Sequence, residues 1–179
     1  MRYTFQAEQW LPPPVQQIFA FFADPANLPR LMPAWQGARI DSIALIPAPN
    51  QPADFPGSTA AGQGTRMTLS FRPVPFSPIR LRWDAEIAAF AWNDHFCDIQ
   101  LARGPFAFWR HCHRLAPETR NGLPGTLLTD QLEYALPFGP LGRLAHTLAV
   151  RRQIQAAFAF RHRRTAELLA QQTSAPAKL

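Results

Sequence analysis

The chain has 179 residues, of which 47% are hydrophobic and 17% charged, and its formal net charge is +6. This length suits one domain with a core large enough to enclose a cavity, so we expect residues 1–170 to form a single domain and residues 171–179 a flexible tail. No apolar run of about 18 residues is present and residues 1–20 lack a signal-peptide pattern, which predicts a cytoplasmic protein.

The positive charge is almost entirely arginine, because Lys178 is the only lysine. The arginines are scattered along the chain, apart from Arg161, Arg163 and Arg164 near the end of a predicted helix. A nucleic-acid site usually combines a basic stripe with interleaved aromatic residues. We therefore interpret this cluster as a solvated helix end and expect no nucleic-acid partner, with a weak contact to anionic membranes as an alternative.

The first elements in chain order are a strand, a helix and a short broken helix. Arg2 to Trp10 has strand character, and Pro12 to Pro14 starts a helix whose apolar residues have i, i+3, i+4, i+7 spacing: Val15, Ile18, Phe19 and Phe22. Asp24-Pro25 ends this helix. Asn27 to Pro33 follows as a helical turn or two, and Gly37 to Ile46 returns to strand character.

The stretch from Pro47 to Gly64 is rich in proline and glycine, which predicts a long loop. It is expected to frame a cavity mouth, or else to be a tolerated surface insertion. Two strands follow, one with alternating Met67, Leu69 and Phe71, and one over Ile79 to Ala89 with Trp83 turned inward.

A hairpin is predicted between strands at 96–101 and 106–115, with its turn at Gly104-Pro105. The numbers of facing residues then sum to 209, which places Asp98 opposite His111. Trp109 and His113 lie on the same face of the second strand as His111, because side chains alternate along a strand. The hairpin therefore predicts a polar cluster inside an otherwise apolar sheet.

The last strand is predicted over 126–136, after a connecting loop at 116–125. Its more apolar face carries Asp130 and Tyr134 among leucines, so this face should point inward. Asp130 then falls near His111. The prediction is an inward ladder of Asp98, His111 and Asp130, with Trp109, His113 and Tyr134 around it.

Cys97 and Cys112 also sum to 209 and should face each other on the outer side of the hairpin. A disulfide is conceivable between them, but the expected cytoplasmic location favours reduced thiols. The two cysteines lack CxxC spacing, so a redox function has little support.

The longest helix is predicted from Pro140 to about Ala170. At 100° per residue, one broad face collects nine residues: Leu141, Leu144, Leu148, Arg151, Gln155, Phe158, His162, Thr165 and Leu169. Arg151 is expected either to lie over the sheet near Asp130 or to extend its stem along the surface to water.

The predicted order is a strand, a helix, a short helix, six strands and a long helix that must cover the sheet. Segments that carry this layout are Asp24-Pro25-Ala26-Asn27-Leu28, Gly104-Pro105-Phe106 and Tyr134-Ala135-Leu136-Pro137, together with Phe96, Asp98, Trp109, His111, His113 and Asp130. In this order they resemble the SRPBCC superfamily, also called START-like or Bet v 1-like, especially its bacterial polyketide cyclase/dehydrase and CoxG-like branches.

The resemblance implies an α+β helix-grip fold, in which a curved antiparallel sheet of about seven strands wraps around the long C-terminal helix and two short helices follow the first strand. It also implies a hydrophobic cavity between sheet and helix that takes lipids, polyketides, quinones or other apolar molecules. The superfamily spans carriers, transfer proteins, cyclases and hydrolases, so the fold does not settle the activity. The long Pro47–Gly64 loop departs from the compact connection expected there.

The first hypothesis is a non-catalytic binder or carrier of a hydrophobic small molecule, with no cofactor. The alternative is a cyclase or dehydratase, in which His111 moves a proton, Asp98 or Asp130 orients it, and Arg151 or Tyr134 polarises a carbonyl. The same acids and histidine could instead form a buried network that fixes strand register. A third hypothesis is membrane-linked transfer of a lipid or quinone, with the Pro47–Gly64 loop and Phe138 near the entrance.

Periodicity adds candidates for the cavity wall: Leu69, Phe71, Trp83, Leu148 and Phe158. Trp109 and Tyr134 could stack on a flat ligand or simply fill the core. His111 and His113 could join Asp98 in a metal site, but His-x-His pairs are common on strands, so no metal is expected. The chain has no nucleophile elbow, HExxH motif, dinucleotide fingerprint or P-loop. Its oligomeric state is not predicted.

Overall fold

The computed structural model describes residues 1–53, 55 and 59–174. Its strands are β1 (Tyr3–Leu11), β2 (Arg39–Ala44), β3 (Arg66–Phe71), β4 (Leu81–Ala91), β5 (His95–Gln100), β6 (Phe108–Arg120) and β7 (Leu123–Ala135). Its helical elements are α1 (Val15–Ala23), two 3₁₀ segments (Pro25–Leu31 and Ala34–Gln36), α2 (Gly139–Ala145), a π-helical turn (His146–Val150) and α3 (Arg151–Ser174).

The strands form one curved antiparallel sheet in the order β1-β7-β6-β5-β4-β3-β2, and the helix-grip prediction is confirmed. Helix α3 contributes to two apolar clusters on this sheet. Its far end packs Leu168 with Phe19 of α1 and Leu128 of β7. Its first half packs Phe158 with Tyr134 of β7. The long helix is therefore anchored at both ends of its contact with the sheet.

The short helical segments after α1 are held by local polar contacts. The carboxylate of Asp24 accepts a hydrogen bond from the backbone N–H of Ala26 (2.9 Å), which caps the first 3₁₀ segment. The buried amide of Asn27 donates to the carbonyl of Phe21 (2.9 Å). These bonds fold the segment back over α1, so that Leu31 is buried.

The predicted register of the β5–β6 hairpin is confirmed, with Asp98 opposite His111 and Cys97 opposite Cys112. The paired residues end at Ile99 and Arg110, and the connection at 101–107 is longer than a tight turn. Gln100 closes this connection, since its side chain donates to the carbonyl of Phe106 (2.6 Å).

The loop predicted at 116–125 is wrong, because β6 and β7 continue to Arg120 and Leu123. They are joined by a two-residue turn, Asn121-Gly122, whose φ angles are 53° and 78°. Asn-Gly is the sequence typical of a type I′ turn, which needs positive φ at both positions. The register beyond the turn still places Asp130 opposite His113, as the inward ladder requires.

The predicted helix begins as expected, but its first half is out of phase with the prediction. Leu141, Leu144 and Leu148 are 71%, 57% and 64% exposed. The π-helical turn at His146–Val150 accommodates an extra residue, because its bonds run from i to i+5. After it, the buried side chains are Ile154 and Phe158, followed by Thr165, Leu168 and Leu169.

Cys97 and Cys112 are joined in a disulfide, so the expectation of reduced thiols is wrong for this structure. No helix within residues 1–53, 55 and 59–174 is both long and apolar enough to cross a membrane. Helix α3 continues to Ser174, and residues 175–179 of the predicted tail lie outside the described residues. The same is true of residues 54 and 56–58 in the long loop.

Candidate functional site

A cavity of about 860 Å³ lies between the sheet and α3. Eight residues predicted for the site line it: Leu69, Phe71, Trp83, Asp98, Trp109, His111, His113 and Phe158. Most of the wall is apolar, with Trp83 and Trp109 in edge-to-face contact at 4.7 Å between ring centroids. Ligand cavities in proteins typically measure about 300–1,000 Å³ and combine apolar walls with a few polar groups, so this space suits a small molecule.

Four predicted site residues do not line the cavity. Asp130 and Tyr134 are buried behind its wall. The placement of Leu148 and Arg151 in the cavity is wrong, since both are exposed on the outer side of the helix. The π-helical turn is the physical reason, because it brings Val150 and Ile154 to the cavity wall in place of those two residues.

The mouth of the cavity is marked by lining residues that are also exposed, including Trp35, Val74 and Gln153. It therefore opens between the second 3₁₀ segment, the β3–β4 connection and α3. Of the described residues of the Pro47–Gly64 loop, Ala61 alone lines the cavity, so this part of the loop does not frame the mouth as predicted, while residues 54 and 56–58 lie outside the described residues. Phe138 does not line the cavity either.

The polar part of the wall is centred on His111, which lies between two carboxylates. Its Nε2 is 3.0 Å from Asp130 Oδ1, and its Nδ1 is 3.5 Å from Asp98 Oδ1. Asp98 also accepts a hydrogen bond from Trp109 Nε1 (3.0 Å). The side chain of Asp130 is fully buried, whereas that of Asp98 is 28% exposed. The predicted ladder is therefore present, with Asp98 as its accessible end.

Asp130 is also the contact between the sheet and α3. Its Oδ2 is 3.1 Å from His162 Nε2 of the helix, and its Oδ1 is 2.7 Å from His113 Nδ1, which is too poorly aligned for a hydrogen bond. On its other side, His113 Nε2 lies 3.2 Å from a guanidinium nitrogen of Arg161. One buried carboxylate thus holds histidines from β6 and from α3.

The two adjacent histidines of β6 have opposite ionisation behaviour. Burial works against the charged form of His111, but its hydrogen bonds to Asp130 and Asp98 outweigh burial and raise its pKa. For His113, burial and the nearby charge of His111 lower the pKa to about 4. The charged form is therefore favoured for His111, whereas His113 is neutral at neutral pH and able to accept a hydrogen bond from Arg161.

Burial also works against ionisation of both carboxyl groups, and their histidine partners overcome it. The charge and hydrogen bonds of the histidines hold the pKa of Asp130 well below its usual value. His111 likewise lowers the pKa of Asp98. Both acids are therefore carboxylates at neutral pH, and neither is a proton donor there.

Tyr134 is engaged outside this cluster. Its hydroxyl lies 2.9 Å from His146 Nε2, and the imidazole of His146 stacks on Tyr3 at 3.5 Å between ring centroids. Burial raises the pKa of Tyr134 and lowers that of His146, with the charge of Arg151 acting in addition on His146. These contacts give Tyr134 a packing role between β1, β7 and the π-helical turn.

The side chains of Asp98, His111 and His113 could hold a metal ion, because one donor atom of each lies within 4.8 Å of the others. In this arrangement, however, both nitrogens of His111 face carboxylates and Nε2 of His113 faces the Arg161 guanidinium. A cation would have to displace these partners, so the geometry favours a protein network over metal ligation.

Sequence reasoning missed two residues that shape the site. Arg161 lines the cavity, although its cluster was interpreted as a solvated helix end. Phe22 of α1 also lines it and stacks on His113, with 5.3 Å between ring centroids. The available signal was the position of Arg161, three residues after Phe158 and four before Thr165, because residues three and four positions apart share a helix face.

The chain was compared with known protein families and solved structures. A family model described as polyketide cyclase/dehydrase and lipid transport matches residues 11–158. No curated protein sequence matches the chain.

Several solved structures share the fold. A protein from Thermus thermophilus has 17% identity and a TM-score of 0.68, covering 96% of this chain and 100% of its own. Norcoclaurine synthase from Thalictrum flavum is 13% identical, with a TM-score of 0.61, and the match covers 95% of this chain and 87% of the synthase chain. Protein Ms6760 from Mycobacterium smegmatis is 16% identical, with a TM-score of 0.60, and the match covers 94% of this chain and 92% of the Ms6760 chain.

The opposed ionisation of the two histidines can be measured by NMR titration of their imidazole signals. We expect His111 to titrate above pH 6.5 and His113 near pH 4. His111 then stabilises the fold fully below pH 6.5, and this contribution is lost as the pH rises through its raised pKa. His113 costs stability as the pH falls from 6.5 towards 4, because the unfolded chain takes up its proton first.

The substitution Asp130→Asn tests whether the Asp130 carboxylate raises the pKa of His111, because it removes the charge and changes the side-chain volume little. It should lower the titration midpoint of His111, with Glu133→Gln on the exposed face of β7 as the control that leaves it unchanged. An unchanged midpoint in Asp130→Asn, or a His113 that titrates above His111, would contradict this description of the cluster.

Proposed function

Because the chain belongs to the polyketide cyclase/dehydrase and lipid transport family, we propose that it binds and carries a hydrophobic small molecule between its sheet and α3. The observation that carries the proposal is the cavity of about 860 Å³. Its wall is mainly apolar and aromatic, and most of its charged and histidine side chains lie on β5, β6 and α3, with Glu86 of β4 in addition. This division suits a ligand with a large apolar body and one polar end.

The apolar wall is sufficient to drive binding. Burial of about 300 Å² of apolar ligand surface contributes roughly 7 kcal/mol at about 25 cal/mol per Å². Association costs several kcal/mol of this amount in lost translational and rotational freedom. The wall alone therefore supports affinities in the range of weak to moderate binders, and polar contacts at the cluster supply the remaining selectivity.

We further propose that the protein takes up its ligand at an anionic membrane surface. The β3–β4 connection, residues 72–80, borders the cavity mouth through Pro73, Val74 and Pro75. Phe76 at its tip is fully exposed. From Phe71 to Arg82 the chain has three arginines and no acidic residue. An apolar tip with basic flanks is the composition that favours the interface of anionic lipids.

Acid–base catalysis is the second candidate function. It is favoured by one observation, that the charged form of His111 is stabilised where the side chain lines the cavity. A charged imidazole can donate a proton to the oxygen of a bound carbonyl compound when that oxygen takes the place of Asp98 at Nδ1, where the contact is 3.5 Å, while Asp130 holds the ring through Nε2. The same network also serves a carrier, because it fixes the polar end of the cavity.

The carrier proposal predicts that filling the cavity weakens binding. Ala85 is buried and lines the cavity, so Ala85→Phe should weaken binding of the neutral fluorescent probe N-phenyl-1-naphthylamine at least tenfold. The exposed Ala116 of β6 gives the control Ala116→Phe, which should bind as the wild type does. Equal probe affinity in all three proteins, or no binding by the wild type, would overturn the proposal.

Membrane uptake predicts that Phe76→Ser weakens sedimentation with phosphatidylserine vesicles, and that added salt weakens binding of the wild type. Phe138 is a close match for Phe76, because it is 80% exposed and has a φ of 67° where Phe76 has 62°. Phe138→Ser should therefore bind vesicles as the wild type does. A loss confined to Phe138→Ser would move the membrane contact to α2, away from the cavity mouth.

Catalysis can be tested with 2-tetralone, an apolar ketone whose α-hydrogens exchange with D₂O through the enol. If His111 is a general acid that protonates the ketone oxygen while water takes the α-hydrogen, the protein accelerates this exchange. His111→Gln then reduces the rate at least a hundredfold while N-phenyl-1-naphthylamine still binds. Exchange at the background rate with bound tetralone would exclude this chemistry for the cluster and leave the carrier function.

A further inference from the structure

Arg161 of α3 is a cationic group at the cavity wall with unused hydrogen-bonding capacity. Its Nε is buried and has no hydrogen-bond partner among the described residues. No carboxylate within residues 1–53, 55 and 59–174 lies within 4 Å of its guanidinium. Buried polar groups in proteins are normally paired, and an unpaired charged donor is costly. Arg161 also lines the cavity, so an acceptor that enters there meets a cation that no described carboxylate neutralises.

The guanidinium is also held in place before any ligand arrives. One of its nitrogens lies 3.2 Å from Nε2 of the neutral His113, and its central carbon lies 5.4 Å from the centre of the Phe22 ring. Both His113 and Phe22 line the cavity themselves. A positioned donor loses little freedom when it binds a ligand, which strengthens the contact.

The neighbouring charges separate Arg161 from the acids of the cluster. Asp98 is occupied by His111 and Trp109. Asp130 lies on the far side of His113, at Nδ1, whereas Arg161 is at Nε2. The positive charge of Arg161 is one cause of the low pKa of His113, which keeps that imidazole an acceptor. A ligand can therefore reach Arg161 without displacing a carboxylate. Arg163 also lines the cavity, but it is exposed and its guanidinium lies over the Phe160 ring.

We propose that Arg161 forms an anion-binding subsite, and that the ligand is an apolar molecule with a carboxylate head group. The planar guanidinium matches the two oxygens of a carboxylate and forms strong charge-assisted hydrogen bonds with it. The apolar body then lies against the apolar wall, to which Trp83, Trp109 and Phe158 belong. This inference rests on the proposed binding function and specifies the ligand class.

The test uses two fluorescent probes that share one apolar body, 1-pyrenebutyric acid and 1-pyrenebutanol, at pH 7.5 and 150 mM salt. The wild type should bind the acid at least tenfold more tightly than the alcohol, as a charge-assisted hydrogen bond is expected to provide. Arg161→Met should remove this preference and change the affinity for the alcohol less than twofold. Arg161→Lys should keep only part of it, because an ammonium lacks the planar pair of donors.

Arg152→Met is the matched control, since Arg152 is an exposed arginine of the same helix and does not line the cavity. It should retain the full preference for the acid. Equal wild-type affinity for the two probes would overturn the subsite while leaving the cavity proposal intact. An Arg161→Met protein that loses both probes equally would assign Arg161 a structural role and also overturn the subsite. Failure of the wild type to bind either probe would count against the proposed binding function itself.

Discussion

The burial of the Asp130 carboxylate is the constraint on which the rest of this structure depends. A fully buried charge is tolerated only when several donors surround it, and here the donors come from different elements. His111 belongs to β6, the strand next to Asp130, whereas His162 belongs to α3. The requirement to satisfy one carboxylate therefore fixes how the helix lies on the sheet, in addition to the apolar contacts of Phe158 with the inner face.

The cavity follows from the same arrangement. Polar side chains occupy the part of the sheet beneath α3 where large aliphatic residues would otherwise close the core, and they are already paired with one another. The apolar wall around Leu69, Phe71 and Trp83 lies on β3 and β4, which follow β7, β6 and β5 across the sheet. The result is a cavity with one charged region and one apolar region, which is the chemical asymmetry that an amphipathic ligand needs.

The sequence predicted the contacts within the sheet well and those of the helix poorly. A side chain on a strand can point to only two faces of the sheet. The predicted turn at Gly104-Pro105 was therefore enough to pair Asp98 with His111, and the alternation along the next strand placed Asp130 on the same face. A helix has no such restriction. The stripe of Leu141, Leu144 and Leu148 has the periodicity of a buried face, yet these residues are exposed, because the π-helical turn changes the phase. Arg161 lies beyond this turn, between Phe158 and Thr165, which are buried as predicted. Its place at the cavity wall was missed because its basic cluster was interpreted as a solvated helix end.

The most direct test of this account is native mass spectrometry of the protein as purified from the organism that makes it, followed by denaturation and identification of any released compound. The account predicts one bound molecule per chain, with an apolar body and an acidic head group. A protein that is isolated without such a molecule, and that also forms no complex with an excess of fatty acids, quinones or aromatic polyketides, would contradict it.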